Sequence, residues 1–485
     1  MTYPILKMIA AVALPVLLGA CSTTSSIDTM SDPTASFAPV SSRTSAVTGK
    51  RAVWVQSSQE ANAISAQVSS LVRKKLIGPD IAVQVALLNN KGLQAAYADV
   101  GMNAADVWQE SLLVNPKVSL GMVGIDPVKT VEGAVVSNIL AMITRPRRVA
   151  IADTRFRQAQ LVAAEETLRL AADTRRAWIN AVSAWESVTY YNKAQQAADA
   201  ASALAAKLGE TGAFTKTGQA REHVFYAELV GQTAQARLAA RNAKEELTRL
   251  MGLWGSDIDY KVPNALPTLP RSVAAKRSIE AEALQGRVDL EIAKLALEAE
   301  AQSYGLTQAT RYLTDLELLG GVEVERETDE EGTTTTTQPF AEVEFVIPIF
   351  DTGEARMRKA ELAYMRAASL LAEKAVNIRS EARSAYDAYR STYEIARHYR
   401  NNVVPLRVEI EEESVLTYNG MITNTFELLA DTRAKINSIM LSLNAKREFW
   451  LADVGLGTAI HGGGGAASSG GGMVAAVADA GGGGH

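Results

Sequence analysis

Few residues in this 485-residue chain have types and spacings that could do chemistry. The four histidines, His223, His398, His461 and His485, are scattered. None stands at metal-ligand spacing from another or from the single cysteine, Cys21. No Ser/His/Asp set and no Gly-rich phosphate loop occurs, so the chain reads as a non-enzyme without a metal or diffusible cofactor. The carboxylates are more telling. Glu323 and Glu325 alternate with Val322 and Val324, and Glu342 and Glu344 alternate with Ala341, Val343, Phe345, Ile347 and Ile349. If the apolar faces of such strands meet lipid, these four glutamates line the interior of a β-barrel, where rings of carboxylate favour cations. The plainer reading leaves some of them above a membrane, solvated at the base of loops.

The elements that must position these residues begin after a targeting segment. Lys7 supplies a positive start, and Met8 to Leu18 is an apolar run too short to span a bilayer as a helix. Residues 1–20 therefore read as a removable signal. The run ends in Leu18-Gly19-Ala20-Cys21, which resembles the lipobox of bacterial lipoproteins. The resemblance implies cleavage before Cys21 and a covalent lipid on it. With Ser22 next, it implies the outer rather than the inner membrane. A chain with one cysteine forms no internal disulfide. The net charge of −5 comes from mixed charges and leaves no basic footprint for nucleic acid. Ser22 to Thr48, rich in Ser, Thr and Pro, reads as a flexible tether within an N-terminal extension spanning 21–79. The Gly/Ala-rich end, 457–485, reads as a disordered tail.

Between the tails the chain repeats itself, over 80–278 and again over 279–456. Ala86-Leu87 and Leu93 align with Ala283-Leu284 and Leu290 at an offset of about 197. Gly212, Thr215 and Thr217 align with Gly420, Thr423 and Thr425 at about 208. The second half has therefore gained about eleven residues. The polar stretch Glu327 to Gln338 is the expected loop tip that holds them.

Each repeat reads helix, strand, loop, strand, helix, turn, helix. In the first half, helices are expected over 90–114, from near Pro146 to Leu208, and over about 215–251. The middle one is ~95 Å long, and the other two stacked end to end match it. The second half repeats this with 354–417 against 287–312 plus 423–454. Strands are expected at Lys117 to Ile125, around Val131 to Ile143, around Val322 to Glu325, and from Ala341 to Ile349. Each is near the ~9–11 residues that cross a bilayer tilted. Four strands cannot close a membrane barrel, which needs about eight, so several chains must contribute. The competing reading is a lipid-anchored coiled-coil spacer without a pore.

The ordered segments Asn89 to Ala96, Leu112 to Pro116, Ile347 to Gly353, Tyr418 to Thr423 and Glu427 to Arg433 resemble those of the TolC-type outer-membrane factors. The resemblance covers roughly Asp80 to Leu456. It implies a mainly α fold with a small β part, in a homotrimer with a twelve-stranded β-barrel on a twelve-helix periplasmic tunnel. Such a channel would act as a passive export duct of a tripartite efflux or secretion system, with a membrane fusion protein and an inner-membrane pump as partners. The helical turns at Gly212, Ala213, Phe214 and Thr215 and at Gly420, Met421, Ile422 and Thr423 would be the periplasmic tip where the fusion protein docks. Tyr418, Glu427 and Asp431 would fall at the gate. One segment departs from the pattern: the first strand-to-helix junction is Met142-Ile143-Thr144-Arg145-Pro146-Arg147-Arg148.

Overall fold

The computed structural model describes residues 33–125, 128–210, 212, 214–273, 275–276, 278–329, 332–420 and 425–464. The expected signal at 1–20, Cys21, Ala213 and Met421 to Thr423 lie outside them. The first half comprises α1 (Pro33–Thr48), α2 (Ser58–Val72), α3 (Pro79–Asn89), α4 (Lys91–Ser111), β1 (Lys117–Ile125), β2 (Val128–Asn138), α5 (Ile139–Glu210) and α6 (Lys216–Leu250). The second comprises α7 (Ile279–Gly286), α8 (Val288–Ala309), β3 (Leu316–Asp329), β4 (Gly332–Phe345), α9 (Glu354–His398), α10 (Val404–Asn419) and α11 (Thr425–His461).

α5 runs 72 residues without interruption, ~108 Å of helix. It can do so because its buried stripe is built largely of small residues, among them Ala163, Ala164, Thr167, Ala171, Ala172, Ala177 and Ala181. These let neighbouring helices approach along its length. α4 and α6, of 21 and 35 residues, stack end to end beside it, and together they fall short of its 72 because α5 starts directly at the end of β2. The joint is a pair of asparagines. Asn89 donates to the carbonyls of Met251 and Gly252 at 3.2 and 2.6 Å, and Asn90 donates to that of Leu250 at 3.0 Å while capping α4 through Leu93 N. They satisfy the carbonyls left open at the end of α6. In the second half, α9 and α10 form one long column interrupted by a π turn at Tyr399–Val403. Pro405 explains it: its ring clashes with the carbonyl four residues back, and the widened turn relieves the clash.

The four strands form one antiparallel sheet in the order β1-β2-β3-β4. Several expectations are corrected here. The run Glu327 to Gln338 is not a loop: β3 reaches Asp329 and β4 starts at Gly332, so the five threonines sit in a strand. Threonine is polar but β-branched, and its strand preference wins over the turn reading. β2 ends at Asn138, not Ile143, because Asn138 Oδ1 accepts from Ala141 N at 2.7 Å and starts α5 at once. β4 ends at Phe345, so Ile347 and Ile349 lie beyond it.

The tails also differ from their composition. Residues 33–48 are a helix whose Phe37, Val40 and Thr44 are buried against α4 and α5, with Phe37 4.6 Å from the Tyr97 ring. At the other end, α11 continues to His461 and Gly462–Gly463 are buried. Gly463 lies so close to the backbone of Leu168 and Arg169 that a Cβ would stand 2.7 Å from it.

Candidate functional site

The sheet has two chemically distinct faces, and the register assigns them. On one face lie Val118, Leu120 and Met122 of β1, opposite Val135, Gly133 and Val131 of β2. These continue to Gly320, Val322 and Val324 of β3, and then to Ala341, Pro339 and Thr337 of β4. Leu318, Val343, Leu316 and Phe345 extend the same face at its base. This apolar surface is open: Leu120 is 82% exposed. Among the described residues, β1 and β4 each keep one edge without a strand partner.

The opposite face carries Glu323, Glu325, Glu342 and Glu344 together. The register adds acids that the sequence pattern did not single out. Glu132 of β2 lies directly opposite Glu323, and Glu317 lies directly opposite Glu344. Like charges placed opposite each other in a sheet destabilise it. Two such pairs on one face are tolerable where water and counter-ions reach them, not against a packed layer. Lys117 Nζ stands 3.4 Å from Glu317 at the base of this face. Glu132 lies in the strand with the poorest alternation, and only pairing with β3 shows which of its residues share a face with the glutamates. Glycine matters here at one position. At Gly321, the Gly133 carbonyl and the Phe340 ring approach to 2.3 and 2.7 Å of where a Cβ would stand.

At the far ends of the long helices lie the two turns. Gly212 has φ +76°, a backbone that favours glycine, and its N–H donates to the Gly209 carbonyl at 3.1 Å. Thr215 caps α6 by accepting from Gly218 N at 3.1 Å, and Phe214 packs over Gly218. In the second turn Gly420 N donates to the Leu416 carbonyl at 2.9 Å. Of the suggested gate residues, Tyr418 is half-buried near the end of α10, and Glu427 is exposed in the first turn of α11. The Asp431 carboxylate accepts from the Ser414 hydroxyl, so it ties α11 to α10 within its own hairpin.

The contact between the two hairpins rests on residues not assigned to the gate. The Arg433 guanidinium of α11 lies 4.8 Å from the Phe225 ring centroid and 3.4 Å from Glu228, both on α6. It also acts on Glu222, which is buried with one carboxyl oxygen lacking a hydrogen-bond partner. Burial pushes the Glu222 carboxyl above its usual range, against the pull of Arg433 and His223. Its raised folded pKa means that it favours the folded state at low pH, and that this contribution fades as pH rises through the folded value. Glu222→Gln should therefore stabilise the chain at pH 7.5 by about 1 kcal/mol and by much less at pH 4, read from thermal melts. An equal gain at both pH values would show that the carboxylate is not the cause.

Among the described residues no group of three His, Cys, Asp or Glu is placed to hold a metal ion, and no helix is long and apolar enough to cross a membrane. No family model and no curated protein matches the sequence. Solved structures do match its fold. A membrane protein from Pseudomonas aeruginosa superposes with a TM-score of 0.67 at 16% identity, covering 78% of this chain and 92% of its own. The Campylobacter jejuni CmeC outer-membrane channel gives 0.66 at 18% identity, covering 79% and 86%. The Vibrio cholerae outer-membrane protein VceC gives 0.64 at 15%, covering 82% and 96%. The fold is that of the TolC-type outer-membrane channels. The likeness runs along most of each matched chain's length. The two-faced sheet lies at one end of the long helices, and the turns near Gly212 and Gly420 lie at the other.

Proposed function

We propose that the chain is one subunit of a homotrimeric, lipid-anchored outer-membrane conduit that spans the membrane as a barrel and the periplasm as a helical tunnel. The observation that carries this reading is the sheet: a continuous open apolar face backed by a carboxylate face, with both outer strands lacking partners. Four strands cannot close on themselves, and three copies would make a barrel of twelve. β1, nine residues long, would rise ~23 Å at the usual barrel tilt, close to the ~25 Å apolar band of such barrels. β3 and β4, 14 residues each, would stand ~10 Å proud of the far surface, which suits their threonines and acids. The carboxylates then face the lumen, and the duct is passive, with energy supplied by an inner-membrane pump.

A lipid on Cys21 is compatible with the helix that follows. The Ser36 carbonyl of α1 accepts from Gln160 Nε2 at 2.7 Å. Gln160 lies ~33 Å down α5 from the sheet. About a dozen residues separate Cys21 from Pro33, enough chain to span ~40 Å. The lipid can therefore reach the membrane that the sheet would occupy. At the other end, the turns at Gly212 to Thr215 and Gly420 to Thr423 would receive the periplasmic membrane fusion protein.

The test is direct. The full chain, extracted from outer membranes, should run as a heat-modifiable trimer and open discrete conductances in planar bilayers. A monomer that never conducts would leave the sheet without the role given to it here.

A further inference from the structure

The segment Met142 to Arg148, which replaces a loop with immediate helix, has its own chemistry. Arg145, Arg147 and Arg148 lie seven to ten residues beyond the last strand residue, Asn138, so ~10–15 Å below the sheet. Above them on the same helix, Met142 and Ile143 are exposed. Other apolar side chains stand exposed in the segments flanking the sheet: Trp108, Leu112 and Val114 before β1, Tyr312 before β3, and Ile349 and Phe350 after β4. A bilayer places its headgroups in the ~5–7 Å beyond the hydrocarbon boundary. If that boundary falls near Met142 and Ile143, the arginines stand at headgroup depth, with Trp108 and Tyr312 as the aromatic belt.

The arginines are not equally committed. Arg148 pairs with Glu110 at 3.1 Å and donates to the Ala141 carbonyl at 3.3 Å. Arg147 reaches one carbonyl, that of Gly305, at 3.3 Å. Arg145 is half-buried and has no hydrogen-bond or ion-pair partner among the described residues. The corresponding region of the second half is different. There Arg311 pairs with Glu354, Arg356 with Asp351, and Arg358 with Glu361. Among the described arginines of the two junctions, Arg145 and Arg147 are the ones without a carboxylate partner.

The direction of Arg145 follows from helical periodicity. Eleven residues, about three turns, separate it from Phe156, so the two share a face. Phe156 joins the apolar cluster that holds Phe37 and Val40 of α1 and Val100, Ala104 and Val107 of α4, and one turn on, Gln160 donates to the Ser36 carbonyl of α1, so α1 lies over this side of α5. A wall one helix thick carries such an added layer on its outside. Arg145 then points out of the duct, with Met142 one turn above it and Arg148 one turn below.

We propose that Arg145, flanked by Arg148, binds the phosphate of an anionic phospholipid in the leaflet nearest the helices. The guanidinium offers paired donors to phosphate oxygens, and Met142 and Ile143 would lie along the start of the acyl chains. The proposal rests on the membrane reading above. The test is built to separate the two.

The full chain is reconstituted in phosphatidylcholine vesicles containing either spin-labelled phosphatidylglycerol or spin-labelled phosphatidylcholine, and the motionally restricted fraction of each is measured. Phosphatidylglycerol should associate about fivefold more strongly than phosphatidylcholine, as expected for about one basic residue's worth of attraction. Arg145→Gln should reduce the preference to near unity, whereas Lys216→Gln, at the far end of the helices, should leave it intact. Equal association of both lipids with the wild-type protein would overturn the proposal, as would a preference that survives Arg145→Gln. A variant that loses the trimer rather than the lipid preference would assign Arg145 to a carboxylate of a second copy. A chain that restricts neither lipid and fails to float with the vesicles would sink the membrane reading itself.

Discussion

Arg287→Met should destabilise the fold by about 3–5 kcal/mol, seen as a marked fall in its melting temperature. Arg287 sits between α7 and α8, at the second-half joint, where Gly286 meets the Ile460 carbonyl of α11. Its side chain and that of Asp289 are each only 5% exposed. The guanidinium grips Asp289 with two bonds of 2.9 and 2.7 Å, and also donates to Glu381 of α9. Lys374 of α9 approaches Asp289 at 3.2 Å. The cluster thus rivets α8 to α9 over a sequence gap that no local interaction bridges.

Removing Arg287 leaves Asp289 buried with Lys374 as its remaining cation. Most of the expected loss is the cost of that half-paired charge rather than the worth of the pair. The double variant Arg287→Met/Asp289→Leu should accordingly recover much of the stability. A loss below about 1 kcal/mol for the single variant would mean that water reaches the site. The pH dependence has a definite sign. Burial works to raise the Asp289 carboxyl, but the bonds and charge of Arg287, with Lys374, hold it below the usual range. Its stabilising contribution is therefore present above the ordinary carboxylate pKa and is lost as pH falls through the lower folded value. Glu165 nearby behaves oppositely: burial and then the Asp289 charge push it up.

If the chain forms the proposed conduit, reversing charge on the carboxylate face should invert its ion preference. The wild type is expected to pass cations about tenfold better than anions, because a cleft lined with one sign of charge concentrates its counter-ions. Glu323→Lys with Glu132→Lys reverses two facing acids, and in a trimer it would do so three times. The reversal potential in a salt gradient across a planar bilayer should change sign. Val322→Thr, on the opposite face, should leave it unaltered. If the double lysine variant conducts with unchanged preference, the glutamates do not line the lumen.

Much of this architecture was legible from local pattern. Helical periodicity and caps are properties of short windows, so the helices at 91–111, 216–250 and 354–419 could be placed within a few residues, whereas the one at 139–210 starts well before the Pro146 that the sequence suggested. β1 was read to the residue, because Val118, Leu120 and Met122 alternate without interruption. The repeat told which elements should match in length, and the strand alternation put Glu323, Glu325, Glu342 and Glu344 on one face.

What depends on distant partners could not be read this way. Composition suggested a free tether at 22–48, yet Phe37 and Val40 join one apolar cluster with Tyr97 and Phe156, and burying apolar surface with such remote residues orders residues 33–48. The five threonines looked like a loop because they are polar, but pairing with β3 satisfies their backbone and their branching suits a strand. Glu132 and Glu317 became part of the acidic face only through register, since a one-residue slip would send every side chain to the other side. The grip of Arg287 on Glu381 and the unpaired state of Arg145 are likewise facts about neighbours. The sequence by itself determined the elements, their repeat and the alternation of their faces, because these follow from short-range sterics and periodicity. Only the tertiary structure decided which charges are paired and which stand open, because pairing depends on residues that the chain brings together from hundreds of positions away.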